Sequence, residues 1–155
     1  MIEKHYWKIK QAALDIDLCV VSKHHSIEEI QSYYDAGERI FAENRATELI
    51  FKAGTLPKDI AWHYIGHLQR NKVKEILPIV SCIQSLDNIA LAKVIEKEAT
   101  KLNRTVNVLI ELHLADEDTN KSGLDPADVD MFTNFLLQEC PHISIQGLMT
   151  MGPHT

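Results

Sequence analysis

Several features that mark common protein classes are missing from this sequence of 155 residues. It has no apolar stretch long enough to cross a membrane and no signal-peptide pattern, so we expect a cytoplasmic protein. No G-x-G-x-x-G or Walker-type loop follows a predicted strand, which argues against a nucleotide-binding open sheet. The three cysteines form no C-x-x-C pair, which argues against a zinc site. We interpret Cys19 and Cys82 as small core residues of strands, and Cys140 as the end of a helix.

Positive charge is also scarce. The chain has 16 lysines and arginines against 22 aspartates and glutamates, which gives a net charge of −6. This balance argues against nucleic acid or an anionic membrane surface as the main partner. The length suits one domain with its own core, so we expect residues 1–155 to form a single domain.

What the sequence does contain is a regular alternation of short apolar runs and amphipathic segments. Hairpin signals such as Asn-Gly or Asp-Gly between the runs are absent, so neighbouring strands are expected to be parallel. The pattern predicts a helix over residues 2–14, then six strands with helices between them. The predicted strands are 18–23, 39–44, 61–67, 80–86, 106–114 and 143–151, and the intervening helices are 27–36, 47–53, 68–77, 88–102 and 126–140.

Capping residues mark several helix boundaries. Ser26 and Glu29 form an S-x-x-E capping box at the start of the second helix, and Gly37 follows that helix as its C′ residue. Gly54 is expected to close the third helix. Asp87 is expected to cap the longest helix.

Parallel strands joined by right-handed helical crossovers form either a barrel or an open doubly wound sheet. Because no nucleotide-binding loop is present, we favour an α/β fold of the parallel (β/α) TIM-barrel type. A complete barrel has eight strands, so six strands predict an incomplete one. Its two open edges would favour association, and a homodimer through these edges is a further expectation.

Chemistry in such barrels is placed at the mouth, where the carboxyl ends of the strands meet. Lys23 ends the first predicted strand. A lysine amine in that position loses hydration, which favours its neutral form and makes it a candidate for Schiff-base formation. Since side chains alternate along a strand, Lys23 and Asn44 are expected to face each other from neighbouring strands. From spacing alone, a solvated strand-end lysine is the competing interpretation.

Histidines near the same mouth raise the alternative of a metal-dependent barrel hydrolase. His63, His67 and His113 are the candidate ligands. Strong carboxylate partners are lacking, because Glu43 is expected to point away from the mouth and Glu111 lies within its strand. Metal ligation is therefore the weaker interpretation, and we assign no metal site.

Five segments together resemble the pyridoxal 5′-phosphate homeostasis protein family, whose members are single-domain barrels similar to the N-terminal domain of alanine racemase. The resemblance runs from about Leu18 to Met151 in the family's order, and residues 62–72 are its most specific part. The segments are VVSK at 20–23, DAG at 35–37, FAEN at 41–44, WHYIGHLQRNK at 62–72 and GLMTM at 147–151.

This resemblance implies a bound cofactor. Pyridoxal 5′-phosphate would be held as a Schiff base on Lys23, with Asn44 beside the cofactor ring. His63 and Met149 would lie near the pocket wall. Lys121 matches a lysine that the family carries in the loop after the fifth strand, where cofactor handling and simple exposure both remain open.

The implied function is that of a non-catalytic carrier in vitamin B6 homeostasis. The alternative is a pyridoxal-phosphate-dependent racemase or decarboxylase domain that needs a partner, but no tyrosine is placed opposite Lys23 as the required acid or base.

Two departures from the family pattern matter. Ala42 replaces a usual glycine, and the family continues through a seventh and an eighth strand that hold the phosphate. The chain is thus expected to be C-terminally truncated relative to the family and to bind the cofactor weakly or not at all.

Overall fold

The computed structural model describes residues 2–114 and 122–152, so Lys121 lies outside the described part of the chain. Six strands form one sheet whose order follows the chain, and every neighbouring pair is parallel. The predicted fold class, an incomplete parallel (β/α) barrel, is confirmed. The strands are β1 Val20–Val21, β2 Ile40–Glu43, β3 Ala61–Tyr64, β4 Val80–Leu86, β5 Val106–Leu112 and β6 Ile143–Thr150.

Helices connect the strands and cover one face of the sheet. Short 3-10 turns, Arg70–Lys72 and Pro126–Asp128, lead into two of them. None of the helices within 2–114 and 122–152 is long and apolar enough to span a membrane. The helices are α1 Lys4–Ala12, α2 Ile27–Asp35, α3 Ala46–Thr55, α4 Val73–Ile76, α5 Ile89–Leu102 and α6 Val129–Glu139.

The sheet has a helix-covered face and an inner face. Phe41 pairs in register with Trp62 on the helix-covered face, and both are buried. Ala42 pairs with His63, which pairs with Cys82, and these three lie on the inner face. The core lies between the helix-covered face and the helices. Its most buried large side chains are Phe41, Leu49, Ile76, Ile83, Leu86, Ile95, Ile110 and Phe132.

The first and third strands are shorter than their apolar runs predicted. β1 contains only two residues, because the backbone turns at Lys23 and enters the left-handed region at His24, with φ 66°. The amide of Ser22 still donates to the carbonyl of Ala42 at 3.0 Å, so one pairing bond extends past the strand end. An apolar run in the sequence indicates which residues are buried, whereas the hydrogen-bonded pairing of a strand ends where the backbone turns away.

The predicted capping box is present at the start of α2. The Ser26 hydroxyl accepts from the amide of Glu29 at 3.1 Å, and the Glu29 carboxylate accepts from the amide of Ser26 at 3.3 Å. Gly37 follows the helix with φ 113°, a conformation that favours glycine. The sequence therefore predicted this boundary correctly.

Three other boundary predictions are wrong. The predicted helix of residues 68–77 is α-helical only over Val73–Ile76, after the 3-10 turn Arg70–Lys72. α3 continues through Gly54 to Thr55, because the amide of Leu56 still donates to the carbonyl of Lys52 at 2.9 Å. Asn88, and not Asp87, is the N-cap of α5, since its side-chain oxygen accepts from the amide of Leu91 at 2.8 Å.

The cysteines follow the prediction only in part. Cys82 lies in β4 and Cys140 at the C-cap of α6, and both are buried. Cys19 precedes β1 and is only half-buried, so its placement in a strand core is wrong. Burial raises the pKa of both the Cys19 and the Cys82 thiols to about 11, which keeps them protonated at neutral pH.

Candidate functional site

Lys23 lies two residues after β1 and Asn44 directly after β2, near the carboxyl ends of two neighbouring strands. Val21 pairs in register with Ala42, and Lys23 and Asn44 follow two residues later. Both residues are half-buried. The side chains of Ser22 and Glu43 meet each other on the helix-covered face. Strand alternation continued through Ser22 and Glu43 predicts that Lys23 and Asn44 face inward at one level of the sheet.

The backbone of Asn44 is clamped from β3. Tyr64 is buried, and its hydroxyl donates to the Asn44 carbonyl at 3.1 Å. Gly66 packs so closely that a Cβ atom there would lie 2.8 Å from the Asn44 Cβ and 2.9 Å from its Cα. Only glycine fits without a shift of the neighbouring chain. Gly66 belongs to the 62–72 segment, so this contact gives that segment a physical role.

Asn44 also has an unsatisfied side-chain oxygen. Its Oδ1 is buried and has no hydrogen-bond partner among the described residues. A buried amide oxygen without a donor is costly, and such atoms are rare in folded proteins. A hydrogen-bond donor that is not among the described residues would satisfy this oxygen.

A buried ion pair lies directly behind these two strand ends. Lys52 Nζ is 2.9 Å from the Glu43 Oε2 atom and donates to the Ser22 carbonyl at 2.9 Å. The Ser22 hydroxyl donates to the same Glu43 carboxylate. The side chains of Lys52 and Glu43 are 7% and 0% exposed. As expected, Glu43 points away from the mouth.

Sequence reasoning did not find Lys52. It lies in α3 three residues after the buried Leu49, and therefore on the apolar stripe of that helix. A lysine on such a stripe was the available signal, because a charge there needs a buried partner. Glu43, at the end of a buried strand, is that partner.

His63 lies on the inner face of β3, half-buried, beside β4. Its Nδ1 atom is 2.8 Å from the side-chain nitrogen of Gln84. Burial lowers the pKa of His63, which favours the neutral ring, so Nδ1 accepts a hydrogen bond from the Gln84 amide. This leaves Nε2 of His63 as the protonated nitrogen.

Met149 lies in β6, at the opposite edge of the sheet from β1. It pairs in register with Glu111 and is half-buried. The structure thus pairs β1 and β2, the strands that precede Lys23 and Asn44, and places His63 on the neighbouring β3. Met149 is not a neighbour of Lys23 within the sheet.

Glu111 forms a second polar group near the end of β5. It is buried, and the Ser122 hydroxyl donates to its carboxylate at 3.3 Å. Burial, reinforced by the nearby Asp87 carboxylate, raises its pKa. Asp87 accepts from the amide of Gly123 at 3.0 Å, which explains why it does not cap α5. Sequence reasoning dismissed Glu111 as a mid-strand residue and missed this group.

The three histidines do not assemble a recognisable metal centre. Among residues 2–114 and 122–152 there is no group of three or more His, Cys, Asp or Glu side chains that could hold a metal ion. His113 instead contacts the Ser122 carbonyl at 3.2 Å, and His67 is exposed. The metal-dependent hydrolase alternative therefore has no geometric support in this part of the chain.

Parallel strands joined by helices, with polar side chains after their carboxyl ends, define a partial (β/α) barrel, and the comparisons assign it to a family. Residues 1–155 match the family described as alanine racemase, N-terminal domain. The chain belongs to this family. It is 39% identical over 128 residues to the pyridoxal phosphate homeostasis protein of Aquifex aeolicus, a match that covers 82% of this chain and 55% of the relative. The protein of the same name from Helicobacter pylori is 35% identical over 142 residues, covering 90% and 64% of the two chains.

Solved structures give the same result. PipY of Synechococcus elongatus, determined without pyridoxal phosphate, superimposes with a TM-score of 0.90 at 33% identity, covering 100% of this chain and 73% of PipY. The structure of PipY with pyridoxal phosphate bound gives a TM-score of 0.82 at 30% identity, covering 96% and 71%. The predicted family is thereby confirmed. The chain spans 55% and 64% of the length of the two curated relatives.

Proposed function

We propose that this chain binds pyridoxal 5′-phosphate through a Schiff base on Lys23 and serves in cofactor homeostasis rather than in turnover. The observation that carries the proposal is the parallel pairing of β1 and β2, whose ends lead to Lys23 and to Asn44 with its unsatisfied amide oxygen. PipY, which has this fold and 30% identity, has been solved with pyridoxal phosphate bound. The curated relatives are named for pyridoxal phosphate homeostasis.

The residues at the mouth fit the chemistry of this cofactor. The cofactor brings an aldehyde, which a neutral amine attacks, and a ring with polar substituents. Lys23 supplies the amine, Asn44 the hydrogen-bond acceptor, and the neutral His63 a flat, half-buried ring with a free N–H. We also propose that Met149 lies near the wall of the cofactor pocket, contributed by β6 at the opposite edge of the sheet from β1.

The arrangement of the tyrosines supports binding without turnover. A racemase needs an acid or base on the face of the substrate opposite the lysine. Tyr64 is directed to the backbone of Asn44 on the helix-covered side, and Tyr6, Tyr33 and Tyr34 belong to α1 and α2.

Borohydride trapping tests the proposal. The chain is incubated with pyridoxal 5′-phosphate, reduced, digested and mapped by mass spectrometry, a method that detects weak as well as tight binding. We expect a pyridoxyl group on Lys23 in at least about tenfold excess over the exposed Lys58 and Lys93. Lys23→Arg should remove this product, while Lys93→Arg should leave it unchanged.

Equal labelling of Lys23 and the exposed lysines would overturn the proposal. A second assay addresses turnover: racemisation of amino acids by the loaded chain should not exceed that of free pyridoxal 5′-phosphate. A faster rate that disappears with Lys23→Arg would favour the racemase alternative instead.

The sheet edges support the proposal of a homodimer. β1 and β6 each have a single neighbour in the described sheet, and Leu148 on β6 is 56% exposed. Unpaired strands with exposed apolar residues favour pairing with another copy. Sedimentation velocity should show a concentration-dependent dimer, and a monomer at all concentrations would contradict it.

A further inference from the structure

The buried pair of Lys52 and Glu43 is not used by the proposed binding chemistry. Burying two charges carries a large desolvation cost, and replacing such a pair by hydrophobic residues of similar volume is often neutral or stabilising. A pair retained at such a cost calls for another explanation. Its position supplies one, because Lys52 bonds to Ser22 and to Glu43, the residues that precede Lys23 and Asn44.

The pair is hydrogen-bonded to the ends of β1 and β2 on the helix-covered face. Lys52 donates to the carbonyl of Ser22, the residue before Lys23, at 2.9 Å. Glu43, the residue before Asn44, accepts from both Lys52 and the Ser22 hydroxyl. Three bonds thus join the end of β1, the end of β2 and helix α3 at the point where the chain turns.

The charge of this group is nearly balanced. Lys52 is also 3.5 Å from Glu48, whose side chain is 32% exposed and therefore well hydrated. Glu43 is 0% exposed, so the Lys52–Glu43 pair is poorly screened by water. Removing Lys52 alone leaves the buried Glu43 charge without its cation, bonded to the residue that precedes Lys23. Removing Glu43 alone leaves Lys52 on the Ser22 carbonyl with only the partly exposed Glu48 as counter-charge.

We propose that Lys52 and Glu43 are positioning residues that hold Lys23 and Asn44 in register and keep the Lys23 amine in an electrically neutral setting. The identity of the ligand that Lys23 takes rests on the proposed function, but the effect on the amine itself does not. This permits a test without any cofactor. It also gives opposite signs for the two partners, which a purely structural role would not.

The experiment measures how readily Lys23 is acetylated by acetic anhydride at one mildly alkaline pH. Peptide mass spectrometry gives the labelling of Lys23 relative to Lys93, an exposed lysine of α5. Only the neutral amine reacts. Lys52→Met leaves the Glu43 charge, which stabilises the protonated amine, so Lys23 labelling should fall by about threefold. Glu43→Gln leaves the Lys52 charge, which Glu48 offsets in part, so labelling should rise, by a smaller factor than it falls in Lys52→Met.

The double variant Glu43→Gln/Lys52→Met has no buried net charge and should return labelling to within about 1.5-fold of the starting protein. Changes in the same direction for the two single variants, or no recovery in the double variant, would overturn the proposal. If Lys52→Met does not fold, the comparison of Glu43→Gln with the double variant decides the same question.

Borohydride trapping of the same variants separates this proposal from the proposed function. Opposite labelling shifts without pyridoxylation of Lys23 would leave the positioning role standing and remove the cofactor assignment. Pyridoxylation of Lys23 with no labelling shift would do the reverse.

Discussion

Lys52→Met provides a demanding test of the buried ion pair through stability. The Lys52 side chain is 7% exposed and that of Glu43 is 0% exposed, so water cannot compensate for the loss of either charge. The substitution removes the bonds to Glu43 Oε2 and to the Ser22 carbonyl, each 2.9 Å long. Glu43 would keep only the Ser22 hydroxyl as a donor, and its Oε1 is already without a partner among the described residues.

Breaking a buried pair by removing one partner costs about 3–5 kcal/mol. Domains of this size unfold with about 5–15 kcal/mol, so the loss is a large share of the total. At roughly 2–4 °C per kcal/mol, the melting temperature should fall by about 6–20 °C. The buried charge of Glu43, rather than the lost attraction, causes most of the effect.

Thermal and urea unfolding followed by circular dichroism measure this change. Lys93→Met is the matched control, because Lys93 is an exposed lysine in the interior of a helix, and it should alter stability by no more than about 0.5 kcal/mol. Adding Glu43→Gln to Lys52→Met should restore at least half of the loss. A Lys52→Met variant within about 1 kcal/mol of the original chain would refute the reasoning.

Three further predictions follow from single contacts. Gly66→Ala should cost about 1–3 kcal/mol and reduce pyridoxyl trapping, because its Cβ would displace Asn44; unchanged stability and trapping would contradict the clamp. Glu111 has a raised pKa in the folded state, so its ionisation destabilises the fold progressively as pH rises from its ordinary value through the raised one. Glu111→Gln should therefore raise the melting temperature at about pH 7 and leave it unchanged at about pH 4, whereas an equal gain at both pH values would contradict the burial argument. Asn88→Ala should lower the free energy of unfolding by about 1 kcal/mol, measured by urea titration, because it removes the cap of α5. Leu91→Met, a core substitution that keeps the cap, is the control. In the isolated α5 peptide only Asn88→Ala should reduce helicity.

Much of the fold was accessible from local patterns. The capping box of Ser26 and Glu29 and the C′ position of Gly37 depend only on residues within one turn, so the sequence predicted them correctly. The strand of residues 80–86 was also predicted with its observed bounds. The prediction erred where a distant partner competes, as at Asp87, whose carboxylate is taken by Gly123.

The candidate site divides in the same way. Alternation and parallel pairing predicted that Lys23 and Asn44 follow matched positions of neighbouring strands, and the register of Val21 with Ala42 agrees with this. It could not show that Gly66 presses on Asn44, or that Tyr64 reaches its carbonyl. Those contacts depend on how the chain turns after β3, which no short-range pattern encodes.

By itself, the sequence determined the order of strands and helices, the parallel pairing and the lysine at the end of the first strand, since periodicity and spacing are properties of the chain. Only the tertiary structure decided that Lys52 crosses from α3 to Glu43 and Ser22, and that Glu111 is buried beside Asp87. Burial of a charge is a property of its surroundings. The partner that makes such burial tolerable comes from a different element, brought close only when the sheet and its helices are assembled.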